Sequence, residues 1–184
     1  MDTFNFAGDP TLERPAPTGY RLTERRRTIG AGHRGHRGPG ADATDTAAQD
    51  AAFARAREAI FAWQIQRGSG FVSERVPEPV SPGAVSLFRI PFGPLRPAVL
   101  CRVFAVIDEP GRAGFGHGAL VGHPQSGWES FVVERCSDGS LEMCIRVIAR
   151  PAVWWMRLAG PFAQLALELL LRRNLRSLDT IVYP

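Results

Sequence analysis

From Gly114 to Arg150 the chain runs through stretches of two-residue alternation, with a Gly-rich corner and a Ser-Asp-Gly-Ser turn between them. It then passes without a linker into a long apolar stretch, Ala152 to Leu178. This order constrains the fold more than any single motif does. A sheet with one apolar face needs a cover, and a helix with a wide apolar stripe supplies one. A chain ending this way is built to lay its last helix back on its own sheet.

The upstream sequence supplies the rest of that sheet. After Gly70 the period is two, and strands are predicted over 71–76, 84–90, 98–108, 113–121, 128–136 and 141–150, separated by Pro/Gly signals such as PEPVSPG and EPGR. A further strand is predicted over 20–29, followed by a Gly-rich loop, Gly30 to Ala41. Phe53, Ala56, Ile60 and Trp63 recur at helical spacing, so a shorter helix is expected over 46–66, capped by Asp45 or Thr46 and ended at Gly68-Ser69-Gly70. The predicted order is strand, helix, six strands, long helix. The fold class is therefore α+β, an antiparallel curled sheet of six to seven strands on a long C-terminal helix. Residues 1–18 read as a flexible arm, and 19–180 as one domain.

The Ser-Asp-Gly-Ser turn predicts a register. Asp138-Gly139 suits both central positions of a type I′ turn. With those two as the loop, Cys136 falls opposite Leu141, Glu134 opposite Met143 and Val132 opposite Ile145. Directly opposed residues share a face, so Val132, Cys136, Leu141, Met143, Ile145, Val147 and Ala149 form the expected core face. Glu134 is then its one charged group, and Arg135 pairs with Glu142 outside.

In the closing helix Trp155, Leu158, Phe162, Leu165 and Leu169 form the stripe expected to face Met143, Ile145 and Val147. Gly160-Pro161 should bend it, because proline removes a backbone donor and clashes with the preceding turn. Arg157, Gln164, Glu168, Arg172 and Arg173 interrupt the apolar run, so no transmembrane segment is read.

Composition narrows the class. With 184 residues and 45% apolar content the chain suits one globular domain without staples. Three cysteines, Cys101, Cys136 and Cys144, read as reduced thiols in a cytoplasmic protein, and the first residues carry no apolar signal segment. All 22 basic residues are arginine. That uniformity looks like codon bias, so Arg25-Arg26-Arg27 and the HRGHR run at 33–37 are read as a solvated strand end and a loop. Nucleic acid is not an expected partner.

His117, His123, Glu129 and Glu134 are the one grouping suited to chemistry. Two imidazoles and a carboxylate ligate a metal only if the fold gathers them around one ion, and nothing in their spacing does so; no metal or cofactor is expected. His117 with Glu134 would make an acid–base pair if both lay in one cavity. Cys101, between apolar neighbours, reads as a packed thiol instead of a nucleophile. Gly114, Gly116 and Gly118 leave one sheet face bare, either for close packing or for a ligand.

The order of elements is similar to the helix-grip arrangement of the START-like, or Bet v 1-like, superfamily. At the residue level the chain resembles an uncharacterised family of bacteria and plants, the domain of unknown function nineteen-ninety. Gly19-Tyr20, Cys101-Arg102-Val103, Gly114-Phe115, Gly118, Leu120, Gly122-His123-Pro124, Gly127, Glu129, Phe131 and Arg150-Pro151 carry that resemblance over about residues 18–178. His117 stands where the family pattern has Tyr, Ala119 where it has Thr, Gln125 and Trp128 where it has Glu, and Ala149 where it has Ser. The resemblance implies a cavity between sheet and helix that binds a small apolar molecule. Arg102, Phe115, His117, His123, Glu129, Glu134, Met143, Trp155 and Phe162 are the expected contacts. A cyclase- or hydrolase-like enzyme using His117 and Glu134 is one alternative. A protein or membrane-surface interaction module using Trp154-Trp155 and the arginine cluster is the other.

Overall fold

The computed structural model describes residues 3–12, 15–30, 43–90 and 96–184. Strand β1 (Arg21–Thr28) leads to helix α1 (Ala43–Phe61) and the short helix α2 (Gln64–Gly68). Strands β2 (Val72–Arg75), β3 (Val85–Arg89), β4 (Ala98–Glu109), β5 (Arg112–Ala119), β6 (Gln125–Arg135) and β7 (Leu141–Pro151) follow. Helix α3 (Trp154–Arg176) and one turn, α4 (Asp179–Val182), close the chain. The seven strands form one curled antiparallel sheet, ordered β1-β7-β6-β5-β4-β3-β2. This is the expected architecture.

Two local expectations change. Helix α1 starts at Ala43, ahead of the proposed caps Asp45 and Thr46, and the expected single helix breaks at Trp63, whose φ is 57°. Left-handed backbone is rare for so bulky a residue, and packing holds it there. The Trp63 side chain is fully buried, its indole N–H donates to the Pro77 carbonyl at 2.8 Å, and its ring lies 4.9 Å from that of Phe115. The HRGHR run at 33–37 lies outside the described residues.

The β6–β7 register is shifted by one from the expectation. Arg135 faces Leu141, Val133 faces Met143 and Phe131 faces Ile145. The turn has three residues, not two. The Cys136 N–H donates to the Ser140 carbonyl at 2.8 Å, and the Gly139 N–H to the Cys136 carbonyl at 2.9 Å, with Gly139 at φ 77°. That is the hairpin form in which a turn is followed by one left-handed residue. The Asp138 carboxylate locks it by accepting the Ser140 N–H at 2.9 Å and the Ser140 hydroxyl at 2.6 Å. A one-residue slip turns every side chain of a strand over. Phe131 and Val133 therefore enter the core. Glu134 leaves it for the outer face, where it forms an ion pair with Arg112 at 2.7 Å. Arg135 does not pair with Glu142; it reaches Asp50 of α1 at 2.6 Å.

The glycine stripe is occupied by the chain's own N-terminus. A Cβ on Gly118 would meet the Phe4 ring at 2.6 Å, and one on Gly116 would meet Phe104 and Leu12. The arm is docked, not loose. Asn5 and Thr3 bond to the backbone at Ala119 and Val121, each at 3.0 Å, and the Trp128 indole donates to the Thr11 carbonyl at 2.9 Å.

Helices α1, α2 and α3 cover the opposite, concave face. The α3 stripe expected there is turned outward: Leu158, Phe162 and Leu165 are 78%, 79% and 59% exposed. The residues facing the sheet are Met156, Ala159, Ala163, Leu167, Leu171 and Asn174. Because α3 is apolar around most of its circumference, periodicity alone does not choose between these faces. Gly160, with non-helical φ 29° and ψ −105°, breaks the phase before Pro161 as expected. From β1, Arg25 and Arg27 pair with Glu168 and Asp179 on the C-terminal helices, and Arg26 with Glu24 and Glu142. The arginine cluster is thus charge-matched by its own fold, leaving it poorly suited to phosphate.

Candidate functional site: a cavity under the last helix

Between the sheet and α3, from Trp155 to Asn174, lies a cavity of about 490 Å³. Its floor is the concave face of β3 to β7, including Phe88, Val99, Cys101, Phe131 and Ala149. Its roof is Met156, Ala159, Ala163, Leu167 and Leu171 of α3, with Trp155 and Phe162 at the rim. The small side chains of Ala159, Ala163 and Ala166 leave the space beneath the helix unfilled, and α1 and α2 pack against the far end of the sheet.

Of the expected contacts, His117, His123, Glu129, Trp155 and Phe162 line this space. Arg102 does not. It lies opposite Gly118, and its guanidinium sits 5.5 Å from the Phe4 ring centre on the outer face. Phe115 and Met143 are fully buried in the solid part of the core, because the register directs them under α1 and α2. Glu134 points away, so His117 and Glu134 do not share a cavity.

The carboxylate that does face His117 is Glu129, directly across from it on β6. The His117 Nε2 is 3.6 Å from the Glu129 Oε2, beyond hydrogen-bonding distance. The imidazole sits among the rings of Trp63, Phe115 and Phe131, and its Nδ1 has no partner. The His123 Nδ1 lies 2.9 Å from both the backbone N–H and the carbonyl of Gln125, which fix the ring in place. Burial holds its pKa down to about 4, against the opposing pull of Glu129. Burial, with Glu129 nearby, also pushes the Cys101 thiol well above its usual range. Cys101 therefore stays protonated, a packed thiol at the cavity floor.

Two lining residues went unnoticed in the sequence: Gln66 of α2 and Asn174 of α3, 4% and 3% exposed. Neither end of the Gln66 carboxamide and not the Asn174 Oδ1 finds a hydrogen-bond partner. Asn174 had a signal, a lone amide between Leu171 and Leu178, but on the stripe that was not chosen. Among the described residues no group of three His, Cys, Asp or Glu side chains is gathered to hold a metal ion. Nor is any helix among them long and apolar enough to cross a membrane.

The Gly-His-Pro corner explains its own sequence. Gly122 has φ 98°, and the His123 N–H closes the corner on the Leu120 carbonyl at 3.0 Å. A Cβ on Gly127 would lie 2.0 Å from the Ile148 carbonyl, so nothing larger fits between β6 and β7. Pro124 then accepts the Ala152 N–H at 3.0 Å, anchoring the chain just before α3. A family model described as a domain of unknown function, DUF1990, matches residues 7–177. The chain belongs to this family. Among curated proteins, a UPF0548 protein of Deinococcus radiodurans is 40% identical over 60 residues, covering 33% of this chain and 30% of that protein. The aligned part is thus under a third of that relative's length.

Solved structures similar to this DUF1990 chain are Bet v 1/START-like helix-grip proteins. Ara h 8.0201 superposes with a TM-score of 0.53 at 14% identity, covering 89% of this chain and 98% of its own. The ginseng major latex-like protein 151 from Panax ginseng gives 0.51 at 11%, covering 90% and 99%. A hypothetical protein of Helicobacter pylori gives 0.51 at 10%, covering 94% and 98%. At such identities the likeness is one of fold.

Proposed function

We propose that this DUF1990 protein binds a small, mainly apolar molecule in the cavity between its sheet and α3. The observation carrying this reading is the 490 Å³ space itself. It is walled mostly by apolar side chains with a few convergent polar groups, the usual make-up and size of a small-molecule site. Bet v 1/START-like folds commonly bind hydrophobic ligands, which agrees with it. A cyclase- or hydrolase-like role is less supported, because the Glu129 carboxylate lies 3.6 Å from His117 without a hydrogen bond and the Cys101 thiol is not activated. Filling the cavity tests the proposal. Ala163→Trp should abolish binding of a neutral apolar dye, N-phenylnaphthylamine, while circular dichroism shows the fold retained. Native mass spectrometry of protein purified from its own host should reveal a co-purifying ligand. Unchanged dye affinity in Ala163→Trp would sink the reading.

A further inference from the structure

Three of the cavity's polar side chains have groups left without partners by the protein. Gln66, His117 and Asn174 come from α2, β5 and α3, line one space, and are 4%, 4% and 3% exposed. Both polar atoms of Gln66, the Asn174 Oδ1 and the His117 Nδ1 lack any hydrogen bond. Buried polar groups are normally satisfied, and leaving one unpaired costs stability. Leucines would suit the same helix face, as Leu171 and Leu175 beside Asn174 show. Three unsatisfied groups gathered at one cavity point to a partner arriving from outside.

The same lining restricts the partner's charge. Among the described residues no Arg or Lys lines the cavity, and Glu129 is the one carboxylate that does. His123 is held neutral by its burial. An anionic head group would lose its water and meet Glu129 with no cation to offset it. A cationic head would leave the acceptor-seeking amide N–H of Gln66 unpaired. Carboxamides offer a donor and an acceptor together, and so match a group that does the same.

We propose that the cavity selects an uncharged hydrophobic molecule ending in a group that both donates and accepts hydrogen bonds, an alcohol or a primary amide, held by Gln66, Asn174 and His117. This rests on the ligand-binding reading above and names the ligand class.

The test is displacement of N-phenylnaphthylamine from the full chain by five probes sharing one alkyl chain: decanol, decanamide, decyl methyl ether, decanoate and decylamine. Decanol and decanamide should displace the dye at concentrations at least about tenfold below the other three, since a site built to hydrogen-bond rejects analogues that leave its groups unpaired. Gln66→Leu and Asn174→Leu should each bring decanol and the ether toward parity. Each preference is read as the ratio of decanol to ether displacement within one variant, so a change in dye affinity cancels, and the melting temperature should be unchanged or higher, because no hydrogen bond of the scaffold is removed. Gln66→Met replaces the first variant if it does not fold. Tighter displacement by decanoate or decylamine, or parity in the wild type, overturns the head-group assignment while leaving the cavity reading intact. Variants that melt lower with an unchanged probe preference overturn it too, making the amides structural. Failure of the dye to bind the wild type overturns the cavity reading itself.

Discussion

The two ends of the concave face are built from the same residue types and differ in one respect. At the hairpin end, α1, α2 and the last turns of α3 press directly on β5 to β7, and Trp63, Phe115 and Met143 are fully buried. At the other end only the first half of α3 spans the sheet. It stands off over a cavity, with Leu158 and Phe162 more than three-quarters exposed. The difference lies in what lies beneath and beside the helix. Two further helices fill the hairpin end, whereas at the other end Gly160 breaks the helix and the inward-facing alanines of α3 leave space unfilled. Stability belongs to the solid end, and the hollow end is free to be selected for binding.

The sharpest way to break this comparison is Trp63→Ala. The residue is fully buried at the junction of α1, α2 and the sheet and touches Phe88 and Phe115. Its truncation should cost about 3–5 kcal/mol of unfolding free energy, read by urea denaturation. A loss below about 1 kcal/mol would mean that the solid end does not carry the fold.

His123 gives the hollow end a pH signature. Its folded pKa of about 4 lies below the ordinary 6.5. Its contribution is therefore fully present above pH 6.5, where both states are neutral. As pH falls from 6.5 toward 4 the unfolded chain takes up a proton that the folded chain refuses, so stability drops. The loss should total no more than about 3 kcal/mol. His123→Gln should flatten the melting-temperature profile between those limits, and an unchanged profile would remove His123 from the account.

How much of this was legible depended on whether the evidence was local. The order of elements along the chain, the helix end at Gly68 to Gly70 and the kink at Gly160-Pro161 follow from turn chemistry and period, and were readable. The side of β6 that faces the core was not, because Asp138-Gly139 suits both a two- and a three-residue turn. The capping of Ser140 by Asp138 decides it and inverts the strand. That single residue moved Glu134 out of the site and brought Glu129 in beside His117. The face of α3 was undecided because leucines, alanines and aromatic residues lie around most of it. Gln66 and Asn174 carry no local mark of being unpartnered; only the tertiary arrangement leaves them so.

Gly118→Trp separates the sheet's two faces. The new side chain would enter the space of Phe4 and Phe6 on the outer face, not the cavity. The expected cost is about 1–3 kcal/mol, the range for overfilling a packed site. The N-terminal arm should become open to limited proteolysis, and dye binding in the cavity should persist. Loss of dye binding with the arm still protected would place Gly118 on the wrong face.

The smallest expected effect is the most direct test of the two ends. Leu165 and Leu171 lie on the same helix, at 59% and 2% exposure. Leu165→Ser changes little that folding buries, and its unfolding free energy should stay within about 0.5 kcal/mol of wild type. Leu171→Ser places a hydroxyl in the core and removes a buried isobutyl group, so its cost should exceed about 3 kcal/mol. A large cost for Leu165→Ser would mean that the outer stripe is covered in solution. The first half of α3 would then close down on the sheet or against another molecule, and the cavity beneath it would be one state of a moving roof.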